Sequence, residues 1–130
     1  MTERDHAGPE TSPGYSERIE RLADAAAAAS DADGPDSPAD DRAMELCREG
    51  LGPTVALYCE ARTGGSMARF SQREFDLLHG ALNDWLAAYA ACYGVDIETD
   101  YTIRQAAELL VETHNIRDVA QLLTDVPERR

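Results

Sequence analysis

The chain has 130 residues and a formal net charge of −13, which comes from 25 acidic residues against 12 basic residues. Every basic residue is an arginine, and the sequence contains no lysine. This length indicates a single domain that can bury its own core, and the lack of a basic stripe argues against nucleic-acid binding.

The first 37 residues are predicted to form a disordered acidic tail, because a polar segment rich in proline and glycine buries too little apolar surface to offset its ordering. Within this tail, residues 15–30 contain a candidate helix, since alanine favours helix and four apolar residues share one face: Ile19, Leu22, Ala23 and Ala26. This face is thin, so we expect a frayed helix or a loosely docked arm.

A helical domain is predicted over residues 38–127, with a short tail at residues 128–130. Its first helix is expected to begin with Ser37 as the N-cap and Pro38 in the first turn. That helix is expected to end at Gly50, because glycine tolerates the left-handed conformation that follows many helices.

The segment 54–62 has two interpretations. Pro53 and the run ALYCEAR favour a helix that ends at Gly64 and Gly65. Alternatively, a short β-hairpin spans residues 55–70, because apolar and polar residues also alternate there. We favour the helix and leave the hairpin open.

The strongest local pattern predicts a long central helix at residues 71–93. Ser71 and Glu74 have the spacing of a capping box, and Phe70 and Phe75 flank it as a hydrophobic staple. Eight apolar residues then share one broad face: Phe75, Leu78, Leu82, Trp85, Leu86, Tyr89, Cys92 and Tyr93. A helix with this much apolar surface is expected to lie at the centre of the fold.

Two shorter helices are predicted within residues 102–124. Thr102 and Gln105 form a second capping box, the first helix ends near His114, and Asn115 caps the next. Pro127 is expected to end the structure. The fold class is therefore mainly α, a compact bundle of four to five helices around the central helix.

Common catalytic and phosphate-binding motifs are absent from the sequence, as are the common metal-binding motifs. Cys47, Cys59 and Cys92 lack CxxC spacing and lie in apolar contexts, which indicates buried free thiols. We expect no catalytic residue, no cofactor and no metal. An enzyme would have to combine polar groups from four residues: Tyr58, Glu60, Arg62 and His79.

Three other groups of residues are candidate sites. A cluster of Glu60, Arg62 and Arg69 could hold an anion or form an ion pair. Gly80, Asn83 and Trp85 mark a candidate interface, because a helical glycine often lets another backbone approach closely. In the helical pair 102–124, Arg117 and Gln121 are the residues suited to DNA base edges; a plain αα-hairpin is the favoured alternative.

Three segments carry a resemblance to a known family: GPTVALYCEARTGG, FSQREFDLLHGALNDWLAAYAACYGVD and RQAAELLVETHNIRDVAQLL. Through these segments the sequence resembles a small haloarchaeal family of uncharacterised proteins, over roughly residues 40–127. The resemblance implies no catalytic residues. It implies a high-salt habitat, which agrees with the acidic, alanine-rich and lysine-free composition, because molar salt shortens the Debye length to about 3 Å. An acidic chain from a GC-rich genome in ordinary salt is the alternative.

No signal peptide or membrane span is visible, so we expect a cytoplasmic protein in a high-potassium environment. The favoured function is a non-enzymatic helical domain that binds an unknown protein partner or forms a homodimer. The alternatives are a DNA-associated transcriptional regulator that uses residues 102–124 and a small enzyme of unknown reaction.

Overall fold

The computed structural model describes residues 13–32, 39–63 and 70–126, and all the regular structure in these ranges is helical. The elements in chain order are α1 (Pro13–Asp31), α2 (Asp40–Leu46), a π turn (Cys47–Leu51), α3 (Gly52–Thr63), α4 (Gln72–Ala91), α5 (Ile103–Thr113) and α6 (Ile116–Thr124). The predicted mainly α bundle is confirmed. The alternative β-hairpin at 55–70 is wrong, because residues 55–63 belong to α3.

Helix α4 is the central helix that the sequence predicts. The Ser71 side chain accepts from the Glu74 backbone N–H, and the Glu74 carboxylate accepts from the Ser71 backbone N–H at 2.8 Å. The rings of Phe70 and Phe75 pack edge to face with centroids 5.5 Å apart, as a hydrophobic staple requires. The helix ends at Ala91, and four of its large side chains are almost fully buried: Leu78, Leu82, Leu86 and Tyr89.

Helix α1 packs along α4, which differs from the frayed or loosely docked arm expected from its thin apolar face. Ile19 and Ala26 are buried. The small side chains of α1 let the two helices approach closely, and the broad face of α4 supplies the apolar surface that α1 lacks. Two polar contacts also join the helices, because Ser16 donates to Glu74, and Arg73 donates to Glu20 at 2.9 Å.

A π turn joins α2 to α3 where the sequence predicts a helix end at Gly50 and a restart at Pro53. The Gly52 backbone N–H donates to the Cys47 carbonyl, five residues back. Because Pro53 has no N–H to donate and would clash with a carbonyl in a regular helix, this wider turn lets the helical path continue. Thr54 donates its hydroxyl to the Gly50 carbonyl at 2.8 Å.

The π turn is also where α4 contacts this part of the chain most closely. A Cβ atom at Gly50 would lie 2.6 to 2.7 Å from three carbons of the Trp85 ring. The indole therefore rests on the backbone itself, and its Nε1 donates to the Thr54 hydroxyl at 3.0 Å. Trp85 is buried, so the sequence places it correctly on the apolar face of α4.

Helices α5 and α6 begin with the caps that the sequence predicts. Thr102 and Gln105 form both hydrogen bonds of a capping box. Helix α5 is followed by its C-cap His114, whose backbone is left-handed with φ of 57°, and the Asn115 side chain then accepts from the backbone N–H groups of Arg117 and Asp118 in the first turn of α6. Several predicted features lie outside the described residues: the parts of the acidic tail at 1–12 and 33–37, Ser37 with Pro38 and the domain boundary there, Gly64 with Gly65, Pro127, and the tail at 128–130.

Replacing Gly50 with alanine should destabilise the protein, because the added methyl group has no space beside the Trp85 ring. We expect a loss of about 1–3 kcal/mol in the free energy of unfolding, the usual cost of overpacking a core. The matched control is Gly80→Ala on α4, where an added Cβ meets nothing within 4 Å, and where a gain of up to about 1 kcal/mol is expected. Urea unfolding followed by circular dichroism measures both; equal stability of the two variants would contradict the contact.

Candidate functional site

Two adjoining clefts run between α3, α4 and α5, and they share Tyr58 and Arg104 as lining residues. The first, of about 490 Å³, is lined mainly by the first two turns of α4 and the start of α5. The second, of about 450 Å³, continues along α5 past Ala107 to Glu112. We call the two clefts together the α5 groove.

Two of the large apolar side chains that line the α5 groove are partly exposed. Phe75 is 38% exposed at one end, and Val111 is 67% exposed at the other. Between them lies Tyr58, which is buried and stacks on Phe70 with ring centroids 6.2 Å apart. Leu122, which is 48% exposed on α6, does not line either cleft.

Among the described residues that line the α5 groove, the uncompensated charge is negative. Arg104 already forms an ion pair with Glu108 at 3.3 Å, and Asp76 accepts a hydrogen bond from the neutral Gln72 side chain at 2.9 Å. Glu112 lies one turn beyond Glu108 and has no hydrogen bond or ion pair within residues 13–32, 39–63 and 70–126. Carboxylates four residues apart on a helix repel each other weakly, so this end of the groove favours a cation.

Asn83 fixes the loop that leads into α5. Its amide nitrogen donates to the carbonyls of His79 at 2.8 Å and Tyr101 at 2.9 Å. Its amide oxygen accepts from the Tyr101 backbone N–H at 2.9 Å and from the Thr99 hydroxyl at 2.6 Å. The loop is held again where His79 Nε2 lies 2.6 Å from the Asp100 carboxylate. Asn83 therefore positions one wall of the groove.

The three residues of the predicted interface are not on one surface. Gly80 is exposed, and no described part of the chain approaches its backbone closely. Trp85 is buried against the π turn, and the Asn83 amide is engaged within the chain. The polar residue that the sequence singled out in α4 thus has a positioning role, and Gly80 is left facing solvent.

The cluster predicted around Glu60 has different partners. The Glu60 carboxylate accepts from Arg18 at 3.4 Å and from the Tyr15 hydroxyl at 3.0 Å, both on α1. These hydrogen bonds, from Arg18 first and Tyr15 second, lower the pKa of Glu60. The Arg62 side chain and all of Arg69 lie outside the described part of the chain. Glu60 therefore joins α1 to α3.

Arg117 and Gln121, the candidate DNA contacts, are both half-buried on α6. Arg117 lies 3.9 Å from the Asp40 carboxylate, which also accepts from the Tyr93 hydroxyl at 2.7 Å. The charge of Arg117 is thus directed at the start of α2. This contact connects α6 to α2 and weakens the case for a cationic recognition helix.

The groups predicted for an enzyme are divided by the structure. Tyr58 and His79 both line the α5 groove, whereas Glu60 does not. Burial raises the pKa of the Cys47 thiol to about 11, and burial also raises the pKa values of Cys59 and Cys92, so reactive thiolate is scarce at neutral pH. Among the described residues, no three histidine, cysteine or acidic side chains are grouped to hold a metal ion. No helix described here could span a membrane.

Comparison with known proteins gives one match. A family model, the domain of unknown function DUF8055, matches residues 13–128 and so includes all six helices. No curated protein and no solved structure matches the chain. The geometry of the α5 groove is therefore the main guide to function.

Proposed function

Because the chain belongs to the DUF8055 family, whose function is unknown, we propose a role from its geometry: it is a non-enzymatic domain that binds a segment of a partner protein in the α5 groove. The observation that carries this proposal is the exposure of Phe75 and Val111 along one continuous groove. Exposed apolar side chains are unremarkable singly, but gathered in a concave site they are typical of binding surfaces.

The energetics of burial support this role. Fully covering an exposed valine or phenylalanine side chain contributes about 1.5–3 kcal/mol each, and both residues are already partly covered. Micromolar affinity needs about 8 kcal/mol, so a partner must cover both anchors and also contact the groove between them. A peptide segment can span both clefts, whereas a small molecule would fill only one of them.

The rigidity of the groove also supports binding. Asn83 and the Thr102 capping box fix the start of α5, and the stack of Tyr58 on Phe70 fixes the opposite wall. A surface that is ordered before binding loses less conformational entropy when the partner docks. An enzyme has less support, because the groups predicted for its site are not all in the groove. A DNA-binding protein also has less support, because the charge of Arg117 is directed at Asp40.

We expect a photo-crosslinker at position 111 to label one discrete partner segment in the organism's own cells, whereas the same crosslinker at position 122 labels none. Both positions hold exposed apolar side chains, but only Val111 lines the groove. The adduct at position 111 should disappear when Phe75→Ser removes the other anchor. Mass spectrometry identifies the crosslinked peptide; equal labelling at both positions, or none at position 111, would refute the role.

The habitat is a further part of this proposal: the protein works in a cytoplasm of high potassium concentration. The net charge of −13 with no lysine supports it, because short-range screening in molar salt removes the self-repulsion of such a surface. Asp84 on α4 is an example of this self-repulsion. Its pKa is raised, first by burial and second by the neighbouring Asp31 carboxylate.

The thermal unfolding midpoint should therefore rise by about 10 °C between ~0.1 M and ~2 M KCl, equivalent to about 2 kcal/mol for a domain of this size. Circular dichroism measures the midpoint on the full chain. A midpoint that stays constant or falls as potassium chloride is added would exclude the high-salt adaptation, without affecting the assignment of the groove.

A further inference from the structure

The polar residues that flank the apolar anchors of the α5 groove define the charge of its occupant. Along α5, the side chains of Arg104, Glu108 and Glu112 border the second cleft beside Val111. The first and last of these residues are eight residues apart, or about 12 Å along the helix. The ion pair between Arg104 and Glu108 uses the one arginine among the described lining residues, and Glu112 keeps its charge without a cation from the described part of the chain.

The other end of the groove is also negatively charged. Asp76 lies beside Phe75 and accepts from the uncharged Gln72 amide. An apolar anchor therefore has a carboxylate next to it at each end: Phe75 with Asp76, and Val111 with Glu112. A partner that covers either anchor must place a polar or charged group against that carboxylate, because leaving a carboxylate buried and unpaired is costly.

From this arrangement, and on the basis of the function proposed above, we propose that the occupant of the α5 groove is a cationic amphipathic helix of another protein. Its apolar face covers Phe75 and Val111. Its arginine or lysine side chains pair with Asp76 and Glu112. In this arrangement the apolar contacts and the charges at both ends favour the same ligand.

A second copy of this chain is a poorer occupant. Each copy carries a net charge of −13, so two copies repel each other in dilute buffer and gain no attraction when salt screens that repulsion. A cationic helix gains from the groove in both conditions. Ion pairs that become partly buried are screened less than exposed ones, so pairs at Asp76 and Glu112 persist in molar salt, while the apolar anchors supply most of the affinity.

The test uses labelled model peptides of about sixteen residues, long enough to cover the groove as a helix of about 24 Å. One peptide has leucine at positions i, i+3, i+4 and i+7 and arginine on its polar face; a second has glutamate in place of every arginine. Fluorescence anisotropy with the full chain, in about 0.2 M and about 2 M KCl, should show saturable binding of the arginine peptide at both salt concentrations. The glutamate peptide should bind at least about tenfold more weakly.

Paired variants separate charge from apolar contact. Asp76→Asn with Glu112→Gln should weaken binding of the arginine peptide by about five- to tenfold and reduce the salt dependence of that binding. The control Glu17→Gln with Asp24→Asn removes the same charge from exposed positions on α1 and should change nothing. Val111→Ser should weaken binding of the arginine peptide, and Leu122→Ser should not.

The outcomes distinguish this inference from the function on which it rests. If Val111→Ser weakens the binding of both peptides equally and the charge variants have no effect on binding, the groove binds peptides but the proposal of a cationic partner is wrong. If Val111→Ser and Leu122→Ser behave alike, the proposed function itself fails. If light scattering finds a dimer, and the crosslinker at position 111 labels a second copy of the chain, then that copy is the occupant. The inference of a cationic partner is then overturned, while the role of the groove as a binding site is kept.

Discussion

The contact between the Trp85 ring and the bare backbone of Gly50 is the constraint on which the rest of this structure depends. It brings α4 onto the π turn at a separation that no side chain at position 50 would permit. The indole N–H donates to Thr54, and Thr54 donates onward to Gly50, so the polar atoms at this crossing satisfy one another. Buried polar groups that are fully paired favour one packing arrangement over its neighbours.

The placement of the other elements follows from this crossing. Helix α3 continues from the π turn without a break, so its direction is set where Trp85 meets Gly50. Tyr58 lies about one turn beyond Thr54 on the same helix and faces the groove wall that begins at Phe75 on α4. The width of the α5 groove therefore depends on a contact buried some distance from it. Helix α1 occupies a different part of α4 and is joined to α3 through Glu60.

The features that the sequence predicted well are those whose causes are local. Both capping boxes, at Ser71 and Thr102, depend on residues three positions apart, and both formed as expected. The predicted end of the first helix is wrong because Gly50 and Pro53 normally stop a helix, whereas here a π turn carries the helical path past them. The ring that packs on this turn belongs to Trp85, thirty-five positions from Gly50. The groove was not predicted for the same reason: Val111 has no local signal, since its importance comes from where α5 lies relative to α3. Asn83 was found as an unexpected polar residue, although its partners, Thr99 and Tyr101, could not be inferred from spacing.

The most direct test of this account is hydrogen exchange, measured by NMR at the Trp85 indole N–H and at the backbone amides of the π turn and α4. If the Trp85 contact holds the fold together, the indole N–H and the Gly52 amide should exchange as slowly as the amides in the middle of α4, because all of them open only in global unfolding. Exchange of the indole or the π turn that is about a hundredfold faster than exchange in α4 would show that the crossing opens by itself, and would contradict the account.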